Sequence, residues 1–255
     1  MKVLFAGPSL FGVDWQESVR DGSAIIRRGP ACHGDITRAV VEGASAIGLV
    51  DGRFGDVAAV WHKEILYALE QGVRVFGAAS MGALRSAECA AFGMIGIGTI
   101  FERYGCGDLE DDAAVALLHA PAELDYMPLT EAMVNVEATV DHLLQSGAVT
   151  HDVATRLDAS ARSLFYGDRT YGRILEHSGL AHGGRGRELA DLLAQARLDV
   201  KQSDALLLVQ RLANLCSSGQ PAARGWQMEP TYTFIAALKQ ARSLSAGAET
   251  GARAF

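Results

Sequence analysis

The chain is poor in lysine, which occurs only at positions 2, 63, 201 and 239, so almost all of its positive charge is arginine. With 23 basic against 30 acidic residues and a net charge of −7, it lacks the basic surplus that a nucleic-acid backbone demands, and no nucleic-acid partner is expected. Long apolar runs are also missing. No stretch approaches the ~20 residues needed to span a bilayer, so no membrane role is expected. Cys32, Cys89, Cys106 and Cys216 are widely spaced and form no C-x-x-C pair, which fits reduced thiols in a cytoplasmic protein better than a disulfide frame or a zinc site. The start, Met1-Lys2, runs straight into a strand-like segment without the apolar region and cleavage site of a signal peptide. A full G-x-G-x-x-G is absent as well: residues 93–98 carry only G-x-G, on the wrong side of a helix. Neither a metal nor a bound cofactor is expected.

What remains is 49% hydrophobic over 255 residues, ample for a core. The organising stretch is VRVFGAASMGALRSAE, residues 73–88. Val73, Val75 and Phe76 read as a buried strand, Gly77-Ala78-Ala79 as a tight turn, and Met81 onward as a helix. Ser80 stands at the bend. The pattern A-x-S-x-G approximates a nucleophile elbow, with Ala78 in place of the first glycine. The plainer role for Ser80 is a helix N-cap, and the two are compatible, because free amides at a helix start also attract anions and oxyanions.

Earlier strands are expected at 2–6, closed by Gly7-Pro8-Ser9, at 24–26, and at 46–50, closed by Asp51-Gly52. Helices are expected near 36–44, with Asp35 as N-cap, and over 57–70, with Trp61 on the buried stripe. Alternation of strand and helix at this spacing implies a parallel sheet with its ligand site beyond the strands' carboxyl ends. Gly7, Ser9, Asp51 and Ser80-Met81-Gly82 converge at that edge. An acidic loop at 107–112 reads as a solvated turn, and 113–119 as a last strand at the sheet's edge. From residue 128 the pattern turns helical: 129–144, 150–165, 172–177, 187–200, 203–215 and 231–244. The expectation is an α/β fold, Rossmann-like, with a parallel sheet and flanking helices in 1–125, an all-helical region in 126–244, and a flexible tail in 245–255.

His62 lies within about two turns of the Asp51 strand end and is the candidate general base for Ser80 or a water; its plainer role, and the one favoured by the residues alone, is a boundary histidine hydrogen-bonded to backbone. Asp51 would orient it, or else close an Asx-type turn with Gly52. Arg85 would pair with Glu88 at i,i+3 or bind a planar carboxylate or thiocarboxylate. Cys32 reads as an inert thiol. Glu131 and Asn135 read as polar neighbours on one helix, and residues 166–171, with two tyrosines and Arg169, carry interface-type chemistry, a plain surface loop being the commoner role.

The blocks VWHKEILYALEQGVRVFGAASMGALRSAEC, FAGPSL and GPACHGDI, with PLTEAMVNVEATV further on, resemble the core of TfuA-like proteins over residues 1 to about 147. The resemblance implies a partner of YcaO-type enzymes, which use ATP to modify peptide backbone amides. The activity implied is thioamidation of a ribosomally made peptide or protein. The TfuA-like protein would recruit a thiocarboxylated, ubiquitin-like sulfur carrier and hydrolyse it, releasing sulfide to the YcaO partner. Asp35, His62, Lys63, Ser80 and Arg85 fall in the matching blocks. Gly7, Ser9, Gly34, Met81 and Gly82 lie beside them as binding candidates, with Ser80, His62 and Asp51 as the catalytic ones. The competing reading is a non-catalytic adaptor that recruits the sulfur donor and activates the YcaO enzyme.

Overall fold

The computed structural model describes residues 1–19, 24–53, 55–215 and 225–252. Cys216, Phe54 and the last three residues of the expected tail lie outside them. Five strands form one parallel sheet: β1 (Lys2–Phe5), β2 (Ile25–Arg28), β3 (Ala46–Leu49), β4 (Arg74–Ala78) and β5 (Ile95–Ile97). Their order is β2-β1-β3-β4-β5, as in flavodoxin-like sheets, so the chain reverses direction across the sheet between β1 and β3.

Alternating side chains divide the sheet into two apolar faces, as the period of two requires. On one, Val3, Phe5, Ile47, Leu49 and Val75 pack on α1 (Asp35–Val41) and α2 (His62–Glu70). On the other, Leu4, Val50 and Phe76 meet Ala205, Leu208, Val209 and Leu212 of α9 (Val200–Ala213). Gly48 makes that second contact close, because a Cβ there would stand 2.6 Å from both Leu208 and Leu212. Lys2 Nζ donates to the Ala213 carbonyl at 3.0 Å, which puts the end of α9 at the start of β1. The helix therefore runs against the strands, with its first turn at their carboxyl ends.

The third core is helical. It joins α3 (Met81–Cys89) and α4 (Thr99–Cys106) to α5 (Met133–Gln145), α6 (His151–Ser163), α7 (Tyr171–His177) and α8 (Gly183–Gln195). Helix α10 (Tyr232–Ala252) returns to the first face, where Phe234 meets Tyr67 with ring centroids 5.5 Å apart. It runs through most of the stretch expected as a tail.

Several expectations are corrected. The fifth strand is Ile95–Ile97, inside the glycine run of residues 93–98. Residues 113–119 instead hold a short 3-10 turn, Asp112–Ala114, and a single bridge from His119 to Pro128. The second helix begins at His62 rather than 57, and Trp61 is its cap, stacked 3.8 Å from the His33 ring. Gly34, at φ 91°, caps α1 in place of Asp35, whose carboxylate accepts from the Cys32 amide at 2.9 Å. Glu131 precedes α5 and pairs with Arg197, while Asn135 on α5 accepts from the Val200 amide and donates to Asp199. Arg169 is buried, donating to the Ala161 and Leu164 carbonyls, so it fastens one loop to α6 and offers no interface.

Candidate functional site

The carboxyl ends of β1, β3 and β4 open into a cavity of about 1010 Å³, lined by Pro8, Asp51, Ser80, His119, Tyr166 and Lys201 among others. Its floor is built by the turns that end the strands. Asp51, buried after β3, accepts from the amides of Gly7 at 2.9 Å and Ser9 at 3.0 Å through Oδ2. Its Oδ1 accepts from the Ser9 hydroxyl at 2.7 Å. The carboxylate thus ties the β1 turn to the β3 end at the sheet's switch point. No bond links it to His62.

The β4–α3 turn is strained at Ala79, whose φ of +65° is a conformation that a Cβ disfavours. The next residue, Ser80, is 4% exposed and its hydroxyl makes no cap bond to α3. Among the described residues that hydroxyl has no hydrogen-bond partner. The side-chain cap expected for Ser80 is therefore absent. The backbone is more fully used: Ser80 N donates to Ala78 O at 2.8 Å and Gly82 N to Val50 O at 3.1 Å. Of the three amides at 80–82, that of Met81 alone has no acceptor among the described residues. Gly82 is where α3 meets β3, since a Cβ there would lie 1.8 Å from the Leu49 carbonyl oxygen. Met81 fills the space beside Gly52 on the other side of the turn.

His62 is placed elsewhere. Half-exposed at the start of α2, it meets Glu88 Oε2 at 2.8 Å and lines a separate, shallower groove with Trp61, Lys63 and Arg85. Arg85 makes the i,i+3 pair with Glu88 at 2.5 Å and also donates to the Val60 carbonyl at 3.1 Å. Lys63 reaches the Glu229 carbonyl. The structure thus brings Ser80, Asp51, Gly7 and Ser9 together, and gathers His62, Lys63 and Arg85 in a second place. Gly34 and Asp35 belong to neither. They sit over Glu64, a buried carboxylate that holds the amides of Gly34 at 2.9 Å and Trp61 at 3.2 Å and meets His33 Nδ1 at 3.0 Å.

Two cavity residues escaped the sequence reading. His119 meets the Ala120 carbonyl through Nδ1 at 2.8 Å, so that nitrogen carries the proton, and its ring stands edge-on to Tyr126. Lys201, in the first turn of α9, is 2% exposed, and Nζ donates to the Val115 carbonyl at 2.7 Å. Burial pushes its ammonium well below the ordinary lysine range, against the pull of Asp51, Asp199 and Glu131. A sequence signal for Lys201 existed: positions 201, 205, 208 and 212 follow the helical period, so one of four lysines stands on an apolar stripe. The thiols carry no comparable activation. Burial, with the Asp35 hydrogen bond, raises Cys32, and burial pushes Cys89 up to about 11.

Residues 51–170 match the family model described as TfuA-like protein. Over that span the chain is similar to TfuA-like proteins. The match takes in Asp51, the Ser80 turn, the His62 groove and His119. It leaves out β1, β2, α1 and Lys201, and so leaves out the FAGPSL and GPACHGDI blocks too. No curated protein matches the chain. Among the described residues no helix is long and apolar enough to cross a membrane.

Proposed function

We propose that this TfuA-like chain works beside a YcaO-type enzyme in peptide backbone thioamidation, hydrolysing a thiocarboxylated, ubiquitin-like sulfur carrier to release sulfide. The family assignment supports the general setting. The observation that carries the hydrolytic reading is the Ser80 hydroxyl: without a hydrogen-bond partner among the described residues, next to a strained residue, and on a cavity at the sheet's carboxyl edge. Hydrolysis of a thiocarboxylate needs attack at its carbonyl carbon, a site for the resulting oxyanion, and departure of HS⁻. Ser80 supplies an oxygen for the first, and the Met81 amide a donor for the second.

A second reading rests on the groove formed by Trp61, His62, Lys63 and Arg85. Its separation from Ser80 suits a docking surface, which would leave the protein an adaptor for the YcaO enzyme.

The deciding assay is sulfide release from a thiocarboxylated carrier, with wild type beside Ser80→Ala. Release by wild type, lost by a folded Ser80→Ala, upholds hydrolysis. No release by wild type gives the function to the adaptor.

A further inference from the structure

The β4–α3 turn and the first turn of α9 come from distant parts of the sequence, yet both border one cavity. Ser80 and Asp51 stand at the carboxyl ends of adjacent strands, joined in register from Ala46–Arg74 to Leu49–Gly77. Lys201, from the helix that covers the second face, lines the same cavity as both of them, and the Asp51 charge acts on its ammonium. Asp51 itself is spent on Gly7 and Ser9, so it needs no ion pair with the lysine. That leaves two polar groups, each more than nine-tenths buried, with spare capacity among the described residues: the Ser80 hydroxyl, which has no partner there, and an ammonium with one of its three donors committed there. An amine walled off in this way is a proton carrier more readily than a fixed charge.

We propose that Lys201 is the proton relay for Ser80, the pair forming a serine–lysine nucleophile. The inference rests on the hydrolytic reading for its substrate and extends it to a covalent intermediate. Neutral Lys201 takes the proton of Ser80 Oγ as that oxygen bonds to the carbonyl carbon of the thiocarboxylate. The ammonium then gives the proton to sulfur as the carbon–sulfur bond breaks, so HS⁻ leaves and the acyl group stays as an ester on Ser80. Water attacks the ester, Lys201 accepts its proton, and a carboxylate departs with Ser80 restored. The balance is thiocarboxylate plus water giving carboxylate, HS⁻ and one proton, with no oxidant or metal required. No hydrogen bond joins the two side chains, so in the reaction Oγ turns toward Nζ or meets it through one water.

His119 is the other base on the cavity wall, but it lies near Asp56, on the rim loop with Arg53, and not at the strand ends. The charged groups facing Lys201 are Asp51 after β3, Asp199 at its own helix cap, and Glu131 ahead of α5.

The test uses a fluorophosphonate, a serine-directed reagent that needs no sulfur carrier, with labelling followed by intact mass and peptide mapping. Wild type should be labelled at Ser80, at a rate that rises with pH through a midpoint below the ordinary lysine value. Lys201→Met should lose about 100-fold or more of that rate together with the midpoint, while keeping its circular dichroism. Lys201→Arg, which keeps charge but cannot give up its proton, should lose as much. Full labelling in Lys201→Arg would reduce the lysine to an anion holder and overturn the relay. So would an unlabelled wild type, or a loss seen in His119→Ala and not in Lys201→Met. Should the methionine variant misfold, the arginine variant and the wild-type pH midpoint still decide. Labelling without sulfide release upholds the pair and refutes hydrolysis of the carrier. Sulfide release without labelling does the reverse.

Discussion

Replacing Asp51 separates a structural carboxylate from a catalytic one. Its two oxygens accept three buried hydrogen bonds, from Gly7 N, Ser9 N and Ser9 Oγ. Asp51→Ala strips the acceptor from two backbone amides that no solvent reaches, and leaves the Ser9 hydroxyl unpaired. Hydrogen bonds to charged groups contribute about 1.5–3 kcal/mol each, and a stranded buried donor costs about 1–3 kcal/mol. Because the three share one anchor, their sum overstates the loss, and about 3–5 kcal/mol is expected. Asp51→Asn keeps an acceptor oxygen for the amides and should cost roughly 1–2 kcal/mol. Ser9→Ala alone should cost about 1 kcal/mol, and in the Asp51→Ala background almost nothing, since the bond is already gone. Urea unfolding followed by circular dichroism measures all four. If Asp51→Ala unfolds within about 1 kcal/mol of wild type while sulfide release collapses, Asp51 is a catalytic group and its structural role is refuted.

Gly82→Ala should be among the most damaging single-methyl additions, since its Cβ would meet the backbone carbonyl of Leu49 rather than a movable side chain. A loss of about 3 kcal/mol or more, or insoluble protein, is expected, and a melt unchanged from wild type would refute the close approach. His62→Ala breaks a half-exposed pair with Glu88 and should cost well under 1 kcal/mol. Sulfide release should stay within about threefold of wild type, and an abolished release would restore His62 to the chemistry. Tyr171 donates to Thr139 Oγ1 at 3.0 Å, and burial pushes its hydroxyl up to about 12. Between the unfolded value of 10.0 and about 12 the folded chain keeps a proton that the unfolded chain has lost. That stability is present below pH 10 and drains as pH rises toward 12. Tyr171→Phe should cost about 1 kcal/mol at neutral pH and flatten the alkaline fall, which unfolding curves at several alkaline pH values would register.

Much of the sheet was legible because its strands advertise themselves. Residues 2–6 and 46–50 are short, apolar and unalternating, and each ends in glycine, proline or aspartate, so both the parallel arrangement and the meeting of Gly7, Asp51 and Ser80 at one edge followed. Ile95–Ile97 was not legible. Three residues with a glycine at their centre and another after them give no period, and Ile95 is exposed, so the pairing with β4 is what makes them a strand. The histidine nearest Ser80 in sequence is His62. Helix α2 starts at His62 and carries it outward to Glu88, a rotation that sequence spacing fixes only once the helix start is known. Lys201 lay 121 positions from Ser80, in a region read for its helical period alone, where a lysine on an apolar stripe passes for a snorkelling side chain.

That α9 closes the second face of the sheet has a consequence for how the chain emerges from the ribosome. Strands β1 to β5 are complete by residue 97, but Leu4, Val50 and Phe76 lack their cover until residues 205–212 have been made. For more than a hundred residues of synthesis the nascent sheet carries one bare apolar face, the condition under which parallel sheets associate wrongly. A shortened chain that stops at the edge of the family match, residue 170, keeps that face bare for good. Such a chain should be recovered as aggregate, and supplying residues 197–252 as a second polypeptide should bring it back into solution.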